Sequence, residues 1–331
     1  MQLTQKKSRR GDLLTAAAVA MLLAVMAALL YTGSLTRQVT NMLIPTAVYI
    51  VMAVSLNLVV GLLGELSLGH AGFMSVGLFS GCLVAIALTN TALPLMVRLP
   101  VSMLAGGLTA AVFGLLVGLP TLRLRGDYLA IVTLACGEII KNIITNLRVT
   151  GGALGLNTTA IYAGAKELLP YGAALVLLTV AVMLNLKRSK YGRAIMAIRD
   201  NRIAAESVGL SVTRYKLAVF VIAAFFAGCA GVLYGHSLAN IKAAAFDYNM
   251  SIDILVIVVL GGMGSVPGSV VSAIVLTVLP EALREVADYR MLVYAVVLIL
   301  VMQATNNPAM KRFFGAACKS LTPKRKERAA L

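Results

Sequence analysis

Charged residues are scarce in this sequence: they make up 13% of its 331 residues, whereas hydrophobic residues make up 60%. The mean hydropathy of +0.90 excludes a pair of soluble domains, which a chain of this length has room to form. Apolar runs of roughly 20 residues, long enough to cross about 30 Å of hydrocarbon, recur along nearly the whole chain. The sequence therefore predicts an all-α, polytopic membrane helix bundle in which residues 1–331 form a single transmembrane domain.

Two motifs that would indicate other chemistry are missing. The four cysteines are Cys82, Cys136, Cys229 and Cys318; they form no CxxC pair, and the first three lie inside apolar runs. Neither a disulfide framework nor a metal site is indicated. No G-x-x-x-x-G-K-[ST] sequence occurs, so this chain by itself does not hold ATP in a phosphate-binding loop. We therefore expect no cofactor and no catalytic residues, and any ATP hydrolysis belongs to separate subunits.

Acidic residues are the rarer charged class, 13 against 29 Lys and Arg, which leaves a net charge of +16. In a soluble protein this charge would suggest nucleic-acid binding, but membrane proteins keep Lys and Arg in their cytoplasmic loops. Most of the basic residues lie in four regions: the N-terminus, the loop with Arg123 and Arg125, the segment 187–216 and the tail 306–331. We predict that these regions and both termini are cytoplasmic, and that no nucleic acid binds.

About ten apolar runs have roughly the length of one membrane crossing. They cover residues 13–31, 42–61, 66–89, 101–119, 127–146, 168–186, 216–235, 251–262, 269–283 and 289–305. The eighth and ninth are short, and the sequence between them, GGMGSVPG, breaks a helix at Gly261, Gly262, Gly264, Pro267 and Gly268. If 251–283 dips in and out of the membrane, eight spans remain. The sequence GLLGELSLG from Gly61 also begins with G-x-x-G, which suits an internal duplication, although chance is the simpler explanation.

The basic segment 187–216 contains two predicted short helices. Asn201 is a good N-cap, Asp200 complements the positive helix end, and Gly209 suits the position after a helix C-terminus, which predicts a helix of about eight residues. In the preceding helix, three apolar residues share one predicted face: Tyr191, Ile195 and Ile198. Because the second helix is rich in small residues, it favours close contact with a protein over insertion into lipid.

Polar residues in or near the spans are candidates for a translocation pathway, because charges inside a bilayer are costly. Glu138 and Lys141 lie three residues apart and can pair on one helical face, so a structural ion pair and a pathway role both remain open. Three more polar residues lie where the third span begins: Glu65, Ser67 and His70. Lining of a transport cavity, local capping and, least favoured, a Ser–His hydrolytic dyad are the alternatives for them. Asp253 is expected to cap the eighth run.

Four long segments, in order along most of the chain, carry a resemblance to a known family. They are GLLGELSLGHAGFMSVG from Gly61, PTLRLRGDYLAIVTLACGEIIKNIITN from Pro120, YGRAIMAIRDNRIAAESVGLSVTRYKLAVF from Tyr191 and VIVVLGGMGSVPGSVVSAIVLTVLPEALREVADYRML from Val256. Together they resemble the LivM-type permease subunits of bacterial ABC importers for branched-chain amino acids. The chain departs from the family pattern at TGGALGL from Thr150, which lacks a proline, and at ATNNPAM from Ala304.

The resemblance implies a permease subunit of the bacterial inner membrane, surrounded by lipid, that pairs with a LivH-type subunit to form the pathway for Leu, Ile and Val. It also implies two cytoplasmic ATPase subunits and a periplasmic binding protein. Within 187–216 it implies an ATPase-coupling helix, with contact residues at Arg199, Asp200, Ala204, Ala205, Glu206 and Gly209. A bulky residue at Ala205 or Gly209 is therefore expected to uncouple transport. The alternatives are an importer of urea or other small amides and an ion-gradient-driven transporter.

Overall fold

The computed structural model describes residues 17–28, 30, 32, 36–89, 94–124, 126–282, 296 and 299. The chain divides into two compact units, Met1–Val278 and Leu279–Leu331. The helices and contacts described below belong to the first unit, apart from the last residues of the final helix. The predicted tail 306–331 lies outside the described residues, as does nearly all of the predicted tenth span, 289–305. A single domain over the whole chain stays a prediction.

The described chain is almost entirely helical. Its helices are α1 (Ala17–Ala28), α2 (Arg37–Asn57), α3 (His70–Thr89), α4 (Leu95–Thr121), α5 (Asp127–Asn146), α6 (Ala165–Arg188), α7 (Lys190–Asp200), α8 (Arg202–Ser207), α9 (Val212–His236), α10 (Tyr248–Gly261) and α11 (Val266–Ala282). A π-helix, Leu58–Leu63, continues α2, and short 3₁₀ turns occupy Gly152–Leu154, Thr159–Ile161 and Ala243–Ala245. Strands β1 (Leu156–Asn157) and β2 (Asn240–Ile241) form a small antiparallel pair. The prediction of an all-α, polytopic bundle is confirmed.

Seven helical segments of the described chain are long and apolar enough to cross a membrane. They correspond to the second through eighth predicted spans, and α11, with 17 residues, corresponds to the ninth. The predicted start of the third span at residue 66 is wrong, because α3 begins at His70. Gly64 adopts a left-handed conformation with φ 79° after the π-helix, so the chain leaves the helix there and re-enters one only at His70.

The glycine-rich sequence between α10 and α11 forms the turn of a helical hairpin. Gly262 and Gly264 have positive φ angles of 87° and 82°, which glycine adopts without steric cost. The hydroxyl of Ser272 donates to the carbonyl of Ile257 at 2.6 Å, and a Cβ on Gly261 would meet the backbone of Gly268. Ile257 lies next to Ser272 and Gly261 lies next to Gly268, so later residues of α10 contact earlier residues of α11. The two helices are therefore antiparallel.

The centre of the bundle is formed by α2 and its π-helical continuation, in which nearly all residues from Leu43 to Leu63 are buried. Beside it, α3, α4 and α9 cross at Gly77, Gly106 and Gly228, where a Cβ on each glycine would collide with the backbone of another. Helices in lipid gain little from hydrophobic burial against one another, so small residues that permit close van der Waals packing replace that driving force. By contrast, α4 and α5 expose large apolar side chains suited to lipid: Leu104, Leu108, Leu116, Ile131, Ile139 and Ile143.

The two ends of the bundle carry different structures. One end, called the α7/α8 end below, carries those short helices together with the α10–α11 turn and the start of α9. The other end, called the β end, carries β1 and β2, which join the α5–α6 connection to the α9–α10 connection. Thr158 N donates to Ala239 O and Ala163 N donates to His236 O, both at 3.0 Å. The two connections at the β end are therefore held together as one structure.

Candidate functional site

Each short helix of the basic segment begins with a side-chain cap. The hydroxyl of Ser189 accepts a hydrogen bond from Gly192 N at 3.0 Å at the start of α7. Asn201 Oδ1 accepts one from Ala204 N at 3.1 Å at the start of α8. Because these bonds satisfy amide groups that lack a partner within the helix, they fix where each helix begins. The predicted cap at Asn201 is confirmed.

The end of α8 is fixed by Gly209, as predicted. Gly209 N donates to Glu206 O at 3.0 Å and Leu210 N donates to Ala205 O at 3.1 Å, which is the bond pair of a Schellman motif. Gly209 has φ 84°, a conformation that other residues adopt only with strain. The resulting helix has six residues, two fewer than predicted.

The inner face of α7 and α8 packs on the first turn of α9. Ile198, Ala205 and Val212 form a buried cluster, with Leu210 and Tyr215 packed against it. This confirms that Ile198 belongs to the buried face, as does Ile195. Tyr191 is 53% exposed, but its ring centroid lies 6.4 Å from that of Tyr215, so it shares this face at its edge. The buried residue of that turn is Gly192, where an added Cβ would collide with Leu186 O.

Two large apolar side chains that were not predicted as contact residues are exposed at α8, Ile203 within the helix and Val208 at its C-cap. Ile203 is 81% exposed and Val208 is 76% exposed, and we call this pair the α8 surface. Ala205 is only 4% exposed, so the prediction that it meets a partner is wrong, and a bulky residue there would disturb the inner cluster instead. The other predicted coupling residues are exposed: Arg199, Asp200, Ala204, Glu206 and Gly209. The sequence feature that could have indicated the α8 surface is the presence of isolated β-branched residues in an otherwise polar helix.

Ion pairs border the α8 surface. Arg202 Nε lies 2.8 Å from Glu206 Oε1, one helical turn apart, and Arg199 Nη2 lies 3.1 Å from Asp200 Oδ1. These side chains are partly exposed, so each pair adds at most about 1 kcal/mol to stability. Their arrangement around an apolar pair resembles the polar rim of a protein interface.

The glycine-rich sequences at Gly61 and Gly261 meet at the α7/α8 end. Asn57, fully buried at the end of α2, accepts from Gly264 N at 2.7 Å through Oδ1. Its Nδ2 donates to Ser265 O at 3.1 Å and to Ser269 Oγ at 2.8 Å. A Cβ on Gly61 would collide with the backbone of Gly264, so this approach requires glycine. The α10–α11 turn is thus joined to the end of α2.

A cavity of about 420 Å³ lies between α8 and the bundle. Its lining includes Glu65 and Lys216, which form an ion pair with side chains 15% and 6% exposed, respectively. Glu65 Oε2, buried, has no hydrogen-bond partner among the described residues. The predicted pathway candidate Glu65 is therefore part of a buried ion pair that ties the segment after the π-helix to the start of α9.

Ser67 and His70 do not form a hydrolytic dyad. His70 Nε2 lies 2.8 Å from Ser55 Oγ, so the imidazole links α3 to α2 inside the core. Ser67 Oγ is buried and has no hydrogen-bond partner within the described part of the chain. A serine hydroxyl must lie within hydrogen-bond reach of its base to be activated. Both residues therefore support packing at the start of α3.

Glu138 and Lys141 form the predicted ion pair within α5. Glu138 also accepts a hydrogen bond from Tyr248 N at 2.8 Å through Oε1, so it satisfies an amide at the start of α10. This is the arrangement of a structural pair that joins two helices, which was one of the two alternatives. The N-cap of α10 is Asp247, whose Oδ1 accepts from Met250 N at 3.1 Å. The prediction that Asp253 caps this helix is therefore wrong.

Asp253 instead lies within α10, exposed, beside a second polar cavity. This cavity, of about 230 Å³, is lined in part by Tyr49, Tyr234, Asn249 and Asp253. The segment Ala243–Gly261 is long and apolar enough to cross a membrane, so Asp253, inside its helix, lies in a region where charge is costly. Such residues usually face a polar cavity or a partner subunit. Among the residues that line this cavity, none is a Lys or Arg.

Apolar membrane-spanning helices, glycine-rich breaks and a polar cavity against the spans are features found in membrane transporters. The chain belongs to the family described as the permease component of branched-chain amino acid transport systems, whose model matches residues 38–302.

Individual relatives agree with this membership. The chain is 36% identical over 296 residues to the high-affinity branched-chain amino acid transport system permease protein LivM of Salmonella typhimurium. It is 37% identical over 290 residues to LivM of Escherichia coli. Each match covers 78% of this chain and 66% of the relative. LivH of Salmonella typhimurium, another permease protein of the same system, is 31% identical over 126 residues, which cover 37% of this chain and 40% of LivH. No solved structure matches the chain.

Proposed function

We propose that this chain is one of two homologous membrane-spanning subunits of an ATP-driven importer of branched-chain amino acids. The observation that carries the proposal is the α8 surface, formed by Ile203 and Val208. Two large exposed apolar side chains on a short, doubly capped helix, bordered by ion pairs, match the apolar core and polar rim of a protein interface. We assign this interface to an ATPase subunit.

The remaining components follow from the two ends of the bundle. The family and the similarity to both LivM and LivH support a LivH-type second permease. The basic residues around α7 and α8 indicate that this end is cytoplasmic, since Lys and Arg accumulate on that side. In this proposal the chain lies in a bacterial inner membrane with both termini in the cytoplasm. Two ATPase subunits bind at the α7/α8 end. A periplasmic binding protein delivers the amino acid to the β end.

The cavity beside α10 favours an amino acid over urea as the transported molecule. A carboxylate in an apolar segment attracts a positively charged group, because opposite charges interact strongly at low dielectric constant. The α-ammonium group of an amino acid supplies that charge, whereas urea is neutral. We therefore place the pathway along the face of α10 that carries Asn249 and Asp253.

Replacing Asp253 with asparagine should lower the maximal rate of leucine uptake by roughly tenfold, because one charge-assisted contact along the pathway is lost. Uptake of tritiated leucine in cells that lack their own importer measures the effect. The matched control is Asp127→Asn, since Asp127 is also exposed but lies in the first turn of α5. Equal uptake by the Asp253 variant and the control would show that Asp253 does not face the pathway.

Energy coupling can be tested in membrane vesicles that contain the assembled importer. We expect leucine uptake to require ATP, to stop with vanadate and to persist when a proton ionophore collapses the membrane potential. Uptake that survives vanadate and ATP depletion but is lost with the ionophore would identify an ion-gradient-driven transporter instead. Parallel assays with leucine and with urea distinguish the two import substrates.

A further inference from the structure

Two cations connect the segment around α7 to the membrane-spanning helices. Arg199, in the last turn of α7, donates from Nη1 to the carbonyl oxygen of Gly61 at 3.0 Å. Lys187, in the last turn of α6, donates from Nζ to the carbonyl oxygen of Gly264 at 2.9 Å. One cation therefore contacts the end of the α2 segment, and the other contacts the α10–α11 turn.

The physical reason for these contacts lies in the backbone at both positions. Gly61 is in the last turn of the π-helix, where carbonyl groups lack partners within the helix and the negative end of the helix dipole favours a cation. Gly264 lies in a turn. Short π-helices are rare and are frequently found at functional positions. Arg199 therefore binds a carbonyl group at the end of the π-helix, that of Gly61, and Lys187 binds a carbonyl group in the α10–α11 turn, that of Gly264.

Asn57 fixes the same two backbone segments to each other. Both ends of its buried amide are used in hydrogen bonds to the α10–α11 turn and the start of α11. Loss of such bonds is costly where water cannot replace them. Because Gly61 also packs directly on the backbone of Gly264, neither segment can move far without the other.

We propose that Asn57, Lys187 and Arg199 form a transmission joint that carries movement of α7 and α8 to α2 and to the α10–α11 hairpin. This inference rests on the proposed function, in which an ATPase subunit moves α8. A displacement of α7 acts on the Gly61 carbonyl through Arg199, and Asn57 passes it to the turn. The three residues are positioning residues, which act through the backbone of the spans.

The test uses proteoliposomes that contain the assembled importer and measures ATP hydrolysed per amino acid taken up. Arg199→Gln should raise this ratio by roughly tenfold, because ATPase movement no longer reaches α2 efficiently. Lys187→Met should raise it in the same direction and keeps the apolar part of the side chain. Arg199→Lys, which retains the charge and a donor, should restore much of the coupling.

The control is Arg193→Gln, on the same helix, since among the described residues Arg193 donates to a local acceptor, Arg188 O, at 3.1 Å. It should keep the wild-type ratio. If Arg199→Gln and Lys187→Met also keep the wild-type ratio, or only reduce the amount of assembled complex, the residues are merely structural and the joint is refuted. Failure of the proposed function is distinct, because the wild-type chain itself would then show no ATP-dependent uptake.

Discussion

Replacing Ile203 with aspartate is expected to abolish ATP-driven uptake while the protein remains in the membrane at its normal level. Ile203 is 81% exposed on α8, so the fold does not depend on it. At the centre of an interface the new carboxylate would be buried without a partner. Loss of a central apolar contact alone typically costs about 2 kcal/mol, roughly a 30-fold loss of affinity. Co-purification of the ATPase subunit and uptake by vesicles measure the effect.

The matched control is Leu154→Asp. Leu154 is 83% exposed but lies at the β end, in the connection between α5 and α6. The same chemical change there should leave ATPase co-purification unchanged. If the Ile203 variant co-purifies with the ATPase as well as the Leu154 variant does and transports as well as the wild-type chain, the α8 surface is not the docking site.

Of all the proposed substitutions, Lys216→Met is expected to destabilise the fold most, lowering the free energy of unfolding by about 3–5 kcal/mol. The variant would leave Glu65 charged and without its partner, in a position where only 15% of its side chain is exposed. Because Glu65 Oε2 already lacks a hydrogen bond within the described chain, no neighbouring group stands ready to compensate. The change is measured by heating the detergent-solubilised protein and recording how much of it remains monodisperse at each temperature.

The double variant Glu65→Gln with Lys216→Met provides the decisive comparison. Removing both charges should recover most of the lost stability, since a buried ion pair contributes little relative to neutral groups of similar volume. If the double variant is as unstable as Lys216→Met alone, the destabilisation comes from lost packing of the lysine side chain. An unchanged single variant would show that the pair is solvated in the protein.

Local features of the basic segment could be predicted because short-range rules determine them. Asn201 caps α8 and Gly209 ends it, and both follow from the conformations that these residue types favour next to helix ends. The buried positions of Ile195 and Ile198 followed from helical periodicity. Tyr191 lies at the edge of that face, 53% exposed, with its ring near that of Tyr215.

Other parts of the candidate site depend on contacts between distant parts of the chain. Ala205 is buried because the first turn of α9 folds back over α8, which no pattern within 201–209 reveals. Asp247 and Asp253 are both plausible caps by residue type, and only the actual start of α10 distinguishes them. The meeting of the two glycine-rich sequences likewise has no local signal. It depends on the close approach of Gly61 to Gly264.

The Asn57 hydrogen bonds also impose an order on biosynthesis. Asn57 and its acceptor and donor groups near Gly264 are 207 residues apart. At about 5–20 residues per second, roughly 10–40 s pass between their emergence from the ribosome. Throughout that interval the side-chain amide of Asn57 lacks these hydrogen-bond partners, and lipid hydrocarbon cannot replace them. We therefore expect final packing of the end of α2 to wait for the α10–α11 hairpin, although α2 is synthesised long before it.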